Sequence, residues 1–492
     1  MSNLPTIFRH IMGIGEVQRQ SIVSFIGQIA FTFIAFLSTI YFAHAVGASV
    51  LGAYFLFVAY YSIIGIISDG GFGAAAIKRI SEGEEQDAYF SAFVLLRSTF
   101  VTVVLLALIA SRSFFVDLDN DGLFVWLVAA LVVSLVYGTI SSGIAGRGKM
   151  GIHATCGFIN NVSRILVQVV AVFLGFGVAG LAGGFVCGLV VGAIVQIRFF
   201  DLRLVRFGWS HIKSLSTFSF WIFLTSSGVM MYTYADRVII GYYLSNADVG
   251  VYFIALQLAA LASFTTIALR STLWPKVSRW GTTDEVELIE ESLSRSFSYS
   301  LVLAVPVLAG GILLGDKLLY FFYGAEFALG YTTLVILLIV QIVNIFQFFF
   351  TMYLGALDHQ KDAFKATAVA AAANLVLNLM LIPVMGIGGA AIATLVSMVL
   401  NAVLARRALS RMITIRMVHT TLRNILIASG LMSLFVGGYR MFVPLSNVWL
   451  VLIPVVLGGA VYGLLVLKFD RSIHEELKGI VTQMNMPWPD WL

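Results

Sequence analysis

The chain has 492 residues, of which 60% are hydrophobic and only 11% charged, whereas a surface that faces water carries roughly a quarter charged residues. A soluble globular protein is therefore excluded. The length accommodates many bilayer spans of roughly 20 apolar residues each, with no large soluble domain between them, and the formal net charge of +5 does not imply nucleic acid, because the cytoplasmic loops of a membrane protein gather Lys and Arg on their own.

Apolar runs broken by turns and charges predict helices near 21–46, 51–76, 89–110, 123–145, 152–173, 178–199 and 216–244, each long enough to cross a bilayer. Seven more are expected near 249–272, 293–314, 329–354, 362–382, 387–408, 425–443 and 447–468. The expected fold is an all-α polytopic membrane protein of about fourteen transmembrane helices. The first run is too long for a cleavable signal peptide and flows into the next span, so it is expected to stay as helix 1. Cys156 and Cys187 lie inside apolar runs, which fits small packing residues better than a disulfide framework or a metal site.

With the N-terminus inside, 24 of the 30 Lys and Arg residues fall on cytoplasmic segments, and only Arg112, Lys317 and Arg440 fall outside. A miscounted helix would invert every later loop, so this bias predicts an even number of spans with both termini cytoplasmic.

The chain also repeats itself. Gly52, Tyr54 and Phe55 match Gly250, Tyr252 and Phe253, and Lys78 and Gly83 match Lys276 and Gly281, all at an offset of 198 residues. Gly180 and Gly183 match Gly386 and Gly389 at an offset of 206. Helices 1–6 thus correspond to helices 7–12, which predicts two pseudo-symmetric six-helix bundles, residues 1–200 and 201–415, followed by helices 13 and 14 within 416–468 and a cytoplasmic tail at 469–492. An even number of helices separates the copies, so the repeat is parallel, a device of transporters that rock two bundles about a shared cavity.

Three basic residues, Arg97, Arg164 and Arg237, are left inside spans. Each costs roughly 2.5–3.5 kcal/mol at mid-bilayer unless paired or hydrated, so such residues line cavities. Counted from their helix starts they sit at about 12, 18 and 31 Å, like staggered rungs. Asn160, Arg164 and Gln168 recur at i, i+4 and i+8 on helix 5 as one polar stripe. Gln341, Asn344, Gln347 and Thr351 form a similar face on helix 10, Asn374 and Asn378 on helix 11, and Ser24, Gln28 and Thr32 on helix 1. These amides are candidates for substrate binding, or for hydrogen bonds that hold helices together. Asp69 and Asp236 are candidates for binding a coupling proton or sodium ion, or for serving as counter-ions to arginines of neighbouring helices.

Two nucleotide-like patterns fail on context. Gly175, Gly177 and Gly180 fit GxGxxG with Asp201 beyond them, but they join two membrane spans; Gly143–Lys149 fits GxxxxGK, but Met150 stands where Ser or Thr would bind magnesium. Gly180, Gly184, Gly188 and Gly192 form a small-residue ridge suited to close helix packing. The sequon at Asn161 is inside helix 5.

Four segments, SDGGFGAAAIKRISEG from Ser68, ADRVIIGYYLSNADVGVYFIALQLA from Ala235, LWPKVSRW from Leu273 and NLVLNLMLIPVMGIGGAAIATLVS from Asn374, make the chain resemble the multidrug/oligosaccharidyl-lipid/polysaccharide exporter superfamily. Within it the resemblance is to the polysaccharide and O-antigen flippases of the Wzx type, over essentially the whole chain. The resemblance implies two lobes around a cationic lumen, a lipid-tail groove at helices 13 and 14, Asp236 and Arg237 in a helix 7 motif, and Arg97 and Arg164 as lumen cations.

The resulting expectation is a flippase, with no catalytic residues, no metal and no cofactor. It moves a polyprenyl-(pyro)phosphate-linked oligosaccharide outward by alternating access, with Na+, H+ or the membrane potential as possible driving forces. Expected partners are the lipid-linked oligosaccharide, membrane lipids and other polysaccharide assembly proteins, with no nucleic acid. The alternatives are an ion-coupled multidrug exporter of the same superfamily or a membrane glycan ligase or polymerase. The short acidic loop Asp117–Asp121, with no His beside it, counts against the enzyme.

Overall fold

A computed structural model describes residues 16–115, 118, 121–471, 473–475 and 478–479, with side chains described from residue 31 onward except at 225, 228, 229, 231, 232 and 271. Ser24 and Gln28 as side chains, most of the Asp117–Asp121 loop, and Trp488 and Trp491 of the tail lie outside the described residues. All regular structure among the described residues is helical.

Eleven helices are long and apolar enough to cross a membrane by length and composition. Two of these are double. The 54-residue helix Glu16–Asp69 is interrupted at Gly47 (φ 75°, ψ 178°) and the 50-residue helix Gln360–Leu409 at Gly386 (φ 61°, ψ −144°). Both glycines adopt positive φ, which other L-residues reach only at a cost, so each makes a one-residue turn between two spans. With these divisions, and with the 35-residue helix Trp209–Tyr243, fourteen spans stand in the expected order among the described residues.

The second and eighth spans differ from their expected continuous form. The second stops at Asp69, passes through Gly70 and Gly71 in left-handed conformation (φ 56° and 78°), and resumes as the short helix Phe72–Ser81. The eighth runs from Asn246 to Ala259, tightens into the 3-10 turn Ala260–Ser263, and continues as Phe264–Thr282. The two interruptions lie at different depths, at 70–71 in the second span and at 260–263 in the eighth. Periodicity missed both because the apolar pattern continues across each.

The chain divides into two compact units, Met1–Tyr242 and Tyr243–Leu492. In the first, the helix Phe72–Ser81 buries Phe72, Ala75, Ala76 and Ile80 against Phe90 and Phe93 of the third span, Gln86–Ala110, together with Leu202 and Leu215. The segment 198–208 leading to the seventh span is tied down by polar contacts. Lys149 Nζ donates to Asp201 Oδ2 at 2.8 Å, Arg203 N to Asp87 Oδ1 at 3.0 Å, and Val205 N to Ser91 Oγ at 2.8 Å.

In the second unit, spans thirteen (His419–Phe442) and fourteen (Val448–Phe469) pack on the ninth (Val286–Tyr323) through Leu314, Met432, Val436, Tyr462 and Val466. Tyr462 Oη donates to Val302 O at 2.6 Å, and Arg440 pairs with Asp316 at 2.9 Å. Spans thirteen and fourteen thus attach to one helix, the ninth. Large apolar side chains such as Phe100, Leu106, Phe173, Leu434 and Val456 remain exposed, as lipid-facing positions require.

Candidate functional site

The fifth span, Met150–Phe173, presents Asn160, Arg164 and Gln168 to the sixth, Gly177–Ile197. The facing residues are the glycine ridge. A Cβ at Gly184 would lie 2.5 Å from Gln168 Cγ, one at Gly188 2.7 Å from Arg164 Cβ, and one at Gly192 3.0 Å from Asn160 Cβ. Two features that look independent in sequence are the two sides of one seam. The missing side chains let a helix carrying long polar residues approach closely, and packing substitutes for the water-driven association that lipid does not provide.

At that seam Gln168 is buried, and its Nε2 donates to Tyr54 Oη at 2.9 Å and to Leu181 O at 2.8 Å. Asn160 Nδ2 donates to Tyr137 Oη at 3.5 Å. The Arg164 guanidinium lies 5.9 Å from the centroid of the Phe185 ring, within cation–π range. Tyr61 packs edge-on against the same ring at 4.9 Å.

Arg97, on the third span, is buried with its Nη1 3.4 Å from Asp69 Oδ1 and its Nη2 donating to Ser134 O at 3.4 Å. Gly138 makes room for it, since an added Cβ would strike the guanidinium. Asp69 also accepts the Gly73 backbone N–H at 3.2 Å, so one carboxylate secures the break in the second span and partners a buried cation. Unpaired, that cation would carry a penalty of several kcal/mol.

Arg237 and Asp236 are both buried on the seventh span. The Arg237 guanidinium lies 4.8 Å from the Tyr234 ring centroid, and its backbone N–H donates to Asp236 Oδ1 at 2.8 Å. All three arginines and both aspartates therefore belong to the first unit.

The amide faces of spans ten and eleven form separate clusters in the second unit. On the tenth, Tyr331–Ala356, Gln341 Oε1 accepts from Ser263 Oγ and from Asn344 Nδ2, and Gln347 Nε2 donates to Thr351 Oγ1 at 3.3 Å. In the other cluster Asn378 Nδ2 donates to Asn374 Oδ1 at 3.0 Å, and Asn374 Nδ2 to Ser397 Oγ at 3.1 Å. Asn378 Oδ1 and Asn401 Oδ1 are buried without a hydrogen-bond partner.

Sequence reading missed the aromatic members Tyr54, Tyr61, Tyr137 and Phe185, because aromatic residues occur throughout the spans. A usable signal existed: Tyr54 and Tyr61 are seven residues apart on one helix and so share a face. No group of three or more His, Cys, Asp or Glu side chains able to hold a metal occurs among the described residues.

The family described as "Polysaccharide biosynthesis protein" matches residues 42–330. Among curated proteins, "Probable low-salt glycan biosynthesis flippase Agl15" of Haloferax volcanii is 27% identical over 95% of this chain and 99% of its own length. "Probable flippase AglR" of the same organism is 26% identical over the same shares. Both are named as transporters and not as enzymes. Among solved structures, "Lipid II flippase MurJ, inward closed conformation" superposes with a TM-score of 0.77 at 16% identity, over 92% of this chain and 99% of that one. An inward-facing multidrug resistance MATE family transporter of the MOP superfamily superposes with a TM-score of 0.61 at 13% identity, over 77% and 95%. These two likenesses establish a shared fold, and the family match over more than half of its length shows that the chain belongs to the polysaccharide biosynthesis protein family.

Proposed function

We propose that this protein moves a polyprenyl-(pyro)phosphate-linked oligosaccharide from the cytoplasmic to the outer leaflet, by alternating access through a lumen made cationic by Arg97, Arg164 and Arg237. The observation that carries the reading is the seam at Arg164. It holds a cation on an aromatic face among amides and tyrosine hydroxyls, a combination that suits phosphate with sugar hydroxyls better than an organic cation. The curated relatives, named as flippases over nearly the whole chain, support the substrate class. The distribution of Lys and Arg over the loops supports a cytoplasmic side for both termini.

No bond is made or broken in such transport, so the side chains need only bind and release. An anionic headgroup moving outward across an interior-negative membrane gains roughly 2.3 kcal/mol per charge per 100 mV, which makes the potential a driving force in its own right. Asp236 and Asp69 are the candidates for an additional coupling proton or sodium ion, and at Asp69 that role would compete with its pairing to Arg97.

The test is translocation of a lipid-linked oligosaccharide in proteoliposomes. An Arg164→Ala variant, reconstituted to the same density, is expected to lose at least about tenfold in rate, as befits one lost charge-assisted contact. Undiminished flipping by that variant overturns the cationic-lumen reading.

A further inference from the structure

Away from the seam, the first unit carries a second cationic pocket that the transport reading does not use. Its volume is about 470 Å³, and it is lined by Arg79, Ser210, Lys213, Ser214, Thr217, Phe218 and Trp221. Six of these lie at i, i+3, i+4, i+7, i+8 and i+11 on the first three turns of the seventh span, which is the spacing of a single helix face. Arg79 comes from the last turn of the short helix Phe72–Ser81. That face divides along its length, with hydroxyls and Lys213 near the helix start and Phe218 and Trp221 farther in.

The charges in the pocket are only partly spoken for. Arg79 Nη1 bonds both oxygens of Glu82 at 3.0–3.1 Å, but its Nε is buried without a hydrogen-bond partner. No acidic group pairs with Lys213 among the described residues, although the nearby Glu85 is engaged with His211 at 3.0 Å. Lys78 adds a third cation at the rim, its Nζ 4.2 Å from the Phe218 ring centroid. The aromatic wall continues into apolar surface, because Phe220, Trp221 and Leu224 are all exposed. An exposed Trp beside a lysine at a helix end is the chemistry of a membrane interface, where an indole sits at headgroup depth.

We infer that this pocket binds the phosphate diester headgroup of an anionic phospholipid, with Lys213 and Arg79 on the phosphate, the Ser210, Ser214 and Thr217 hydroxyls on its glycerol and ester oxygens, and Trp221 against the upper acyl chain. Guanidinium and ammonium groups supply the charge-assisted bonds a phosphate requires. The Ser214 hydroxyl serves as a donor at no further cost in charge, whereas Thr217 Oγ1 donates to Lys213 O at 2.8 Å and faces the glycerol hydroxyls as an acceptor. The apolar exit past Trp221 favours a lipid over a free phosphate, which has no use for it. The site holds together the broken second span and the start of the seventh, so an occupied pocket stabilises the first unit. This inference depends on membrane embedding alone and stands whichever substrate the protein carries.

The experiment compares the purified protein in nanodiscs of phosphatidylcholine with and without phosphatidylglycerol, and reads retained lipid by native mass spectrometry. Wild type is expected to retain phosphatidylglycerol selectively. Lys213→Gln, an exposed position that leaves the core untouched, is expected to bind about fivefold more weakly, the effect of one basic residue at a membrane surface, and Ser214→Ala to weaken binding in the same direction. Lys365→Gln, an exposed lysine outside the pocket, serves as the control for general surface charge and is expected to match wild type. Glycerol phosphate added in solution is expected not to displace the lipid. Equal retention by wild type and Lys213→Gln, an equal loss in Lys365→Gln, or displacement by glycerol phosphate at low millimolar concentration would each overturn the assignment.

Discussion

Gly188 of the sixth span lies directly against Arg164 of the fifth, so close that a Cβ on the glycine would fall 2.7 Å from the arginine Cβ and 2.9 Å from Asn160 O. The position of the guanidinium is therefore set by a residue that carries no charge.

Gly188→Val should push the fifth and sixth spans apart and turn Arg164 off the Phe185 ring. The expected cost is roughly 1–3 kcal/mol of packing, accompanied by a loss of transport close to that of Arg164→Ala. Thermal unfolding in detergent together with proteoliposome flipping would measure both. A Gly188→Val protein that flips at the wild-type rate would show that the seam is dispensable.

The Arg97–Asp69 pair separates structure from function through a double-mutant cycle. Asp69→Asn leaves a buried cation without its counter-ion and should destabilise by about 3–5 kcal/mol. Adding Arg97→Gln removes the orphaned charge and should restore part of that stability without restoring transport, if Arg97 touches substrate. Recovery of both stability and flipping in the double variant would assign the pair a purely structural role.

Gly71 occupies the left-handed region at φ 78°, and a Cβ there would meet the Ser219 carbonyl and lie 2.9 Å from Phe223 N. Gly71→Ala should cost about 1–2 kcal/mol for the backbone conformation alone, with displacement of the seventh span added. Gly65, in open surroundings within the second span, supplies the control: Gly65→Ala should be neutral or slightly stabilising. Denaturation midpoints of the two variants measured side by side would decide.

Asp201 anchors the segment between the sixth and seventh spans. Its hydrogen bond from Lys149, with the Arg147 charge added, holds its carboxyl below the ordinary aspartate range despite some opposing burial. A depressed folded value means that the anchor is fully present above the unfolded value, near pH 4, and is lost as pH falls through the folded one. Hydrogen exchange over residues 199–206 should therefore be unchanged between pH 7 and pH 5, after correction for intrinsic rates, and should rise only below about pH 4. Lys149→Met should raise that threshold toward the ordinary value. Because Asp201 is about half exposed, the effect on global stability should be small.

The long apolar spans and the three arginines within them are legible in the sequence, because a bilayer demands long apolar runs and makes every charge within them conspicuous. The eighth span starts at Asn246 and not near 249, because the Ser245 and Asp248 side chains satisfy each other's backbone N–H, a cap that hydropathy does not register. The break at Gly70 and Gly71 was not legible, since a positive φ leaves no mark on hydropathy.

Tertiary structure alone decided what each polar residue faces. Asp69 and Arg97 are 28 positions apart in the chain, and only the packing of the second span on the third brings the pair to 3.4 Å. The stripe at Asn160, Arg164 and Gln168 and the ridge at Gly184, Gly188 and Gly192 were each visible as a period on one helix, but that they face each other depends on the rotation of two helices about their own axes. Sequence periodicity specifies a face. What lies against that face is set by packing between helices.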